Sequence, residues 1–303
     1  MDTSVCITSG LVLKNPLLSA SGTFAYGEEF SRLMDLSLLG GVLTKGLSLM
    51  PREGNPTPRV CEAPCGLINS IGLENIGVEA FIEEKLPFLS SQGTEIIANF
   101  FGTGEEEYAL MAERLDVPGI SGLEMNVSCP NIKKGGIEFG KDPQVLARLT
   151  ALVRGATKKP LIVKLSPMVT SIVEMALAAQ EGGADALTCC NTLPAMAIDE
   201  NTLKPVLGNI TGGLSGPAVK PFALRNVWEV CRQVRIPVIA SGGIASWRDL
   251  VHFLLAGATA AEIGSASLRD PWCFRDILQG LEEYMRERGI GCMTELIGKL
   301  EIP

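Results

Sequence analysis

The sequence predicts an α/β protein, a (β/α)8 barrel of the TIM type with an N-terminal β-hairpin and long loops at its C-terminal mouth. Three observations lead there. Short apolar runs ending in a polar or glycine-rich residue recur eight times. Most intervals between them are long enough for a helix, and several carry helical periodicity. No G-x-G-x-x-G follows the first run, as an open doubly wound sheet would want. Alternating strands and helices make a parallel sheet with right-handed crossovers, and eight units favour closure.

In chain order, residues 5–7 and 11–13 around Ser9-Gly10 form a hairpin ahead of the first barrel strand. The strand runs are 16–20 before Ser21, 41–44 before Lys45, 95–98 before Asn99 and 122–125 before Asn126. They continue with 161–163 before Lys164, 186–190 before Asn191, 237–240 before Ser241-Gly242-Gly243, and 261–263 before Gly264-Ser265. A helix over 171–179 ends at Gly182-Gly183. Ser246-x-x-Asp249 reads as a capping box for 250–255. Phe274, Ile277, Leu278, Leu281, Tyr284 and Met285 trace a helix face, opened by Asp270-Pro271 and stopped near Gly289. The connections 46–93 and 191–236 are oversized; loops of that length are functional or separately folded, and both fall at the mouth. The whole of 1–303 reads as one domain.

Composition agrees and excludes several classes. Hydrophobic residues make 46% and charged residues 20%, with 33 glycines and few aromatics, which suits buried parallel strands and tight turns. A net charge of −8 argues against nucleic acid as the main partner. Met1-Asp2-Thr3-Ser4 is polar and Lys14 comes early, so no secretory signal is expected and the location should be cytoplasmic. The longest helix-like apolar run, 250–261, contains His252 and falls short of the ~20 residues of a membrane span. The nine cysteines are scattered, with no C-x-x-C, and Cys61 and Cys65 have no answering pair. No metal or iron–sulfur site is expected on this chain.

The chemistry should gather at the strand ends: Ser21, Lys45, Asn99, Asn126, Lys164 and Asn191. One polar strand end is ordinarily a turn residue or cap. Two lysines and three asparagines at the same end are harder to explain so, because lysine is seldom buried without a charge partner and asparagine offers paired donors and acceptors. Gly242-Gly243 and Gly264-Ser265 follow strands seven and eight, where barrels bind phosphate, and Gly216 can add a further approach. Cys129, in the loop Asn126-Val127-Ser128-Cys129-Pro130-Asn131, has a thiol able to act as base or nucleophile, with Gly135-Gly136 downstream as a hinge. Cys6, Cys189, Cys190, Cys231 and Cys273 read as small apolar fillers. His252, the one histidine, lies mid-helix outside the barrel, which excludes a Ser-His-Asp triad.

At this point the chain resembles the dihydroorotate dehydrogenases. The resemblance rests on NPLLSASGTF (15–24), TKG (44–46), PREGNPTPR (51–59), NSIGL (69–73), NVSCPN (126–131), KLSP (164–167), ASGGI (240–244) and IGSA (263–266), and spans about 5–285. It is similar to class 1B, the FMN-bearing catalytic subunit of the two-subunit bacterial enzyme; Glu74 and Ile76 depart from the more typical residues. The resemblance implies FMN lined by Ser21, Lys45, Gly46, Asn99, Asn126, Lys164, Cys190, Gly216, Gly242, Gly243, Gly264 and Ser265. It implies substrate held by Lys45, Asn69, Ser70, Ile71, Gly72, Leu73, Asn126, Asn191 and Thr192, with Cys129 as base. It further implies oxidation of dihydroorotate to orotate in pyrimidine biosynthesis, by a homodimer joined to a subunit carrying FAD and a [2Fe–2S] cluster that passes electrons to NAD. A single-subunit, fumarate-reducing relative would share nearly the same catalytic residues. A Schiff-base aldolase using Lys164 or Lys45, a reductive pyrimidine enzyme and a catalytically silent barrel are the rival readings.

Overall fold

The computed structural model describes residues 1–128 and 139–302. It opens with the expected hairpin, β1 (Val5–Thr8) and β2 (Leu11–Leu13), followed by β3 (Leu17–Ser19) and β4 (Gly41–Leu43). β5 (Val60–Ala63) and β6 (Gly66–Asn69) stand outside the barrel. The chain returns through β7 (Glu95–Phe100), β8 (Gly122–Asn126), β9 (Leu161–Lys164) and β10 (Ala186–Cys189). It leaves again as β11 (Leu193–Met196), β12 (Ile198–Asp199), β13 (Lys204–Pro205) and β14 (Thr211–Ser215), and finishes with β15 (Val238–Ser241) and β16 (Ala260–Ile263). Eight parallel strands close in the order β3-β4-β7-β8-β9-β10-β15-β16, with β16 pairing back to β3. The (β/α)8 barrel is therefore the fold.

Each strand coincides with one expected run, and the differences are informative. Asn99 and Lys164 lie within β7 and β9 rather than beyond them. Partners in a parallel ladder face the same way. The pairings Asn99↔Glu124, Asn126↔Lys164, Thr188↔Lys164 and Ser241↔Glu262 therefore set one polar ring on the inner face of the barrel. Below it, small residues alternate with large ones: Leu18 fills the space that a side chain on Gly41 would take, with its Cδ2 at 2.7 Å from that position. The hairpin closes the N-terminal end, where Leu11 Cδ2 comes within 3.3 Å of the corresponding point on Gly122.

The helices cover the barrel with buried apolar faces, and caps set several starts. Asp142 accepts from the amides of Gln144 and Val145 ahead of the helix Pro143–Ala156, and Ser171 caps Ile172–Glu181. Ser246 Oγ accepts from Asp249 N ahead of Trp247–Leu255, while the Asp249 carboxylate takes bonds from Ser246 Oγ and Ala245 N. The last long helix begins at Cys273, later than Asp270-Pro271 suggested, and ends at Arg288 with Gly289 left-handed. Asp270 instead accepts from Trp272 N at 3.0 Å and caps the turn before the helix, so Pro271 never enters it. None of the helices is long and apolar enough to cross a membrane, among the described residues.

The two oversized connections meet each other. β5 and β6 come from the first, β11 and β14 from the second, and they form one antiparallel sheet in the order β11-β14-β6-β5. Asn69 pairs with Gly213 across it, and its Nδ2 donates to the Gly213 carbonyl at 3.2 Å. Gly208 N donates to Pro58 O at 2.9 Å and Asn209 Nδ2 to Ser70 Oγ at 3.3 Å, so the loops beyond the strands interlock too. This sheet roofs one side of the mouth.

Candidate active site

The floor of the site is the polar ring. Lys164 Nζ lies 2.6 Å from Glu262 Oε2 and 3.5 Å from Glu124 Oε1, and all three side chains are buried. Asn99 Nδ2 donates to Glu124 Oε1 at 2.6 Å, and Thr188 Oγ1 donates to Oε2 at 2.5 Å. One cation cannot neutralise two carboxylates in a dry interior, so the pair shares a proton. Burial, then the neighbouring Glu124, pushes the Glu262 carboxyl up to about 8 against the pull of Lys164. Burial alone would raise Glu124 as well, but Lys164 and the hydrogen bonds it accepts hold it below the usual carboxylate range. Burial would lower Lys164, yet the two glutamates outweigh it and keep the ammonium firmly charged. Asn99 Oδ1 and Glu262 Oε1 are buried without a hydrogen-bond partner.

Glu262 gives a measurable sign. Below the ordinary glutamate value of 4.5, its carboxyl is protonated in the folded and unfolded chain alike. From there up to about 8 the folded chain keeps a proton that the unfolded chain has released, so this contribution to stability is lost as pH rises, and it is flat above. The slope is at most ~1.4 kcal/mol per pH unit. Glu262→Gln, which mimics the protonated carboxyl, removes the slope: urea midpoints at several pH values across the window will agree best at the acid end and separate wild type from variant most at the alkaline end, where wild type has lost this contribution. Parallel midpoint curves would show that Glu262 holds no extra proton.

Above the floor, Asn126 and Asn191 come together around Ser128. Asn126 Oδ1 accepts from Ser128 Oγ at 2.8 Å, and Asn191 Nδ2 donates to Ser128 Oγ at 2.5 Å. Tyr108 Oη fixes the Asn126 carbonyl at 2.8 Å, and Asn191 Oδ1 accepts from Thr192 N at 2.8 Å. Thr192 in turn fills the place of a side chain on Gly213 in the roof. Cys129 is the next residue after Ser128 and lies outside the described residues, as does the glycine pair at 135–136.

The glycine turns converge on one side of the mouth. Gly216 has φ +97°, and a Cβ there would fall 3.6 Å from Ser265 Oγ. Gly243 has φ +75°, and a Cβ there would fall 2.8 Å from Gly216 O. Gly242 has φ +134°, again a backbone that only glycine adopts without strain. Gly264 faces Ala20, one residue before Ser21. Cys190 is buried, with Asn226 Nδ2 3.9 Å from its sulfur; its thiol is drawn down by a hydrogen bond with Cys189, against burial, with Asn226 and Lys164 adding to the effect.

The remaining wall is the segment 69–76. Ser70 Oγ accepts from Asn55 Nδ2 at 3.0 Å, and Ile71 O accepts from Asn55 N at 3.0 Å. Gly72 at φ +80° and Leu73 at φ +60° turn the chain so that Glu74 points back to Lys45. Lys45 Nζ lies 3.3 Å and Arg59 Nη1 3.1 Å from Glu74 Oε2. Next to Lys45, a side chain on Gly46 would meet Asn99 Oδ1 at 2.9 Å.

The expected residues other than Cys129, which lies outside the described residues, are thus gathered at one end of the barrel. Strand-end reasoning missed Glu124, Glu262 and Thr188, because each sits inside an apolar run; the signal available was a charged residue where alternation demands an inward face. It also missed Ser128 and Arg59 as links. Among the presumed filler cysteines, Cys189, Cys190 and Cys273 are buried, whereas Cys6 is exposed because alternation in β1 turns it outward. His252 is exposed on the helix Trp247–Leu255, 3.0 Å from Lys220 Nζ and away from the mouth. No group of acidic, histidine or cysteine side chains suited to a metal occurs among the described residues.

The sequence profile of the dihydroorotate dehydrogenase family matches residues 4–285. A protein of Trichlorobacter lovleyi is 56% identical over 96% of both chains, and one of Pelobacter propionicus 55% identical over 97% of both. A third, of Geotalea uraniireducens, is 53% identical over 96% of both. All three are named dihydroorotate dehydrogenase B (NAD(+)), catalytic subunit.

Proposed function

The chain belongs to the dihydroorotate dehydrogenase family, and on that premise we propose that it oxidises dihydroorotate to orotate in pyrimidine biosynthesis, as the NAD-linked catalytic subunit of a larger complex. The observation that carries the reading is the mouth itself: polar strand ends, converging glycine turns, and beside Gly46 a buried acceptor, Asn99 Oδ1, that has no partner.

The residues fit FMN. Asn99 Oδ1 is an orphaned acceptor awaiting a donor, and Gly46 leaves the space beside it open. Gly216, Gly242, Gly243, Gly264 and Ser265 form a cradle suited to a phosphate, and Ser21 and Cys190 flank it. Lys164, held charged between Glu124 and Glu262, would supply positive charge to the bound flavin. When bound, FMN supplies the hydride acceptor.

This chain's residues do the rest. Cys129 takes the proton from C5 of dihydroorotate. Asn69, Asn126 and Asn191 satisfy the ring's N–H and C=O groups, each of which would cost ~1–3 kcal/mol if buried unpaired. Lys45 meets the substrate carboxylate together with backbone at Gly72 and Leu73, while Ser70, Ile71 and Thr192 hold these groups in place. The protein works in the cytoplasm, as a homodimer with a partner subunit that carries FAD and a [2Fe–2S] cluster.

Fumarate-linked turnover remains the second reading, since the catalytic residues would be nearly the same. The Schiff-base reading loses one of its two candidate nucleophiles: Lys164 is locked charged between two glutamates, and a protonated amine does not attack a carbonyl.

The test is an anaerobic absorbance spectrum of the FMN-reconstituted chain. Dihydroorotate should bleach the oxidised-flavin bands and dihydrouracil should leave them unchanged. A chain that binds no flavin after reconstitution, or bleaches equally with both, overturns the assignment.

A further inference from the structure

Glu74 joins two cations that belong to different parts of the site. Arg59 is held by its own loop: Nε donates to Asn55 O at 2.5 Å and Nη2 to Glu53 O at 2.8 Å, leaving Nη1 for Glu74. Lys45 stands at the end of β4, and Glu74 is its ion-pair partner among the described residues. The approach is built into the backbone. Gly72 and Leu73 turn the chain with positive φ, and Gly54 leaves room, since a Cβ there would lie 2.9 Å from Glu74 Cβ. Arg59 first, then Lys45, holds the Glu74 carboxyl below the usual range, so it is an anion near neutral pH. At 44% side-chain exposure against 21% for Lys45, Glu74 is the more solvent-accessible member of the pair.

We propose that Glu74 is an internal competitor for the substrate's carboxylate: both draw on the Lys45 ammonium, and an arriving carboxylate must displace the glutamate. The inference rests on the functional reading above, which assigns Lys45 to that carboxylate. The bridge makes the exchange inexpensive. When Lys45 turns to the ligand, Glu74 keeps its bond to Arg59, whose position the loop carbonyls fix, and no charge is left alone. Glu74 therefore weakens the hold on carboxylated pyrimidines, hastens release of the product, and leaves rings without a carboxylate unaffected.

The test is calorimetric titration of the FMN-loaded chain with orotate and, separately, with uracil. Glu74→Gln keeps shape and hydrogen bonding but removes the charge. It should bind orotate about 2- to 5-fold more tightly than wild type, with uracil binding unchanged. Glu74→Asp retains the charge with a shorter reach and should fall between the two. Unchanged or weaker orotate binding by a Glu74→Gln variant that melts like wild type overturns the proposal, as does equal tightening for uracil. Wild-type protein that binds no orotate at all would overturn the functional reading itself, and the proposal with it.

Discussion

Lys164→Met will destabilise the fold by about 3–5 kcal/mol at slightly alkaline pH, the cost of leaving a buried carboxylate without its counter-charge. Methionine matches lysine in length, so little packing is lost. What changes is the charge count: Glu124 and Glu262 face each other across the barrel interior with no cation between them. The loss should shrink as pH falls. Without Lys164 the Glu124 carboxyl is raised above its unfolded value, and a group raised on folding contributes stability that disappears as pH rises through the folded pKa. Urea midpoints measured near pH 5 and near pH 8 check both statements. Adding Glu124→Gln to Lys164→Met should restore part of the stability, because residues in one network do not act additively. A methionine variant as stable as wild type at both pH values would mean that the cluster contributes nothing to the fold.

Cys129→Ser should slow flavin reduction by dihydroorotate by ~10²–10⁴, the usual worth of a positioned base. Serine keeps the place and removes the acidity, so the rate should recover as pH rises toward the range where a hydroxyl can act. Neighbouring Ser128 cannot take over, since its oxygen is held between Asn126 and Asn191. Anaerobic stopped-flow absorbance across neutral to alkaline pH gives the profile. A variant that reduces its flavin at the wild-type rate throughout takes Cys129 out of the mechanism.

The barrel was legible because a strand buried on both faces reads as an apolar run, and eight such runs with helical intervals leave few topologies. The mouth was legible for the same reason, as the polar residue ending each run. Glu124 and Glu262 were not, because a charged residue inside a short apolar run looks like an interruption until the ladder shows which way it faces. The partners themselves lie far apart in sequence, with Lys164 and Glu262 separated by 98 positions. The roof sheet was hidden by the same distance. Segments 46–93 and 191–236 were recognisable as too long for loops, but nothing local says that Asn69 pairs with Gly213, 144 residues on. Helix starts depended on one residue: Ser246 caps where expected, Ser171 caps rather than opening its helix, and Asp270 spends its carboxylate on the preceding turn.

That same roof has a consequence for the order of assembly. β5 with β6 can close as a local hairpin, but β11 and β14 reach β6 only after more than a hundred intervening residues have been gathered into the barrel. Pairings of such long separation form late, after the loop-closure entropy has been met by other contacts. Half of the sheet is therefore waiting while the other half is brought to it. The roof can also part without breaking the barrel's ladder, since its strands share no pairing with the eight of the barrel. The molecule thus keeps its charged floor inside the closed ladder of the barrel and the wall of Asn69, Ser70 and Glu74 on a sheet paired independently of it.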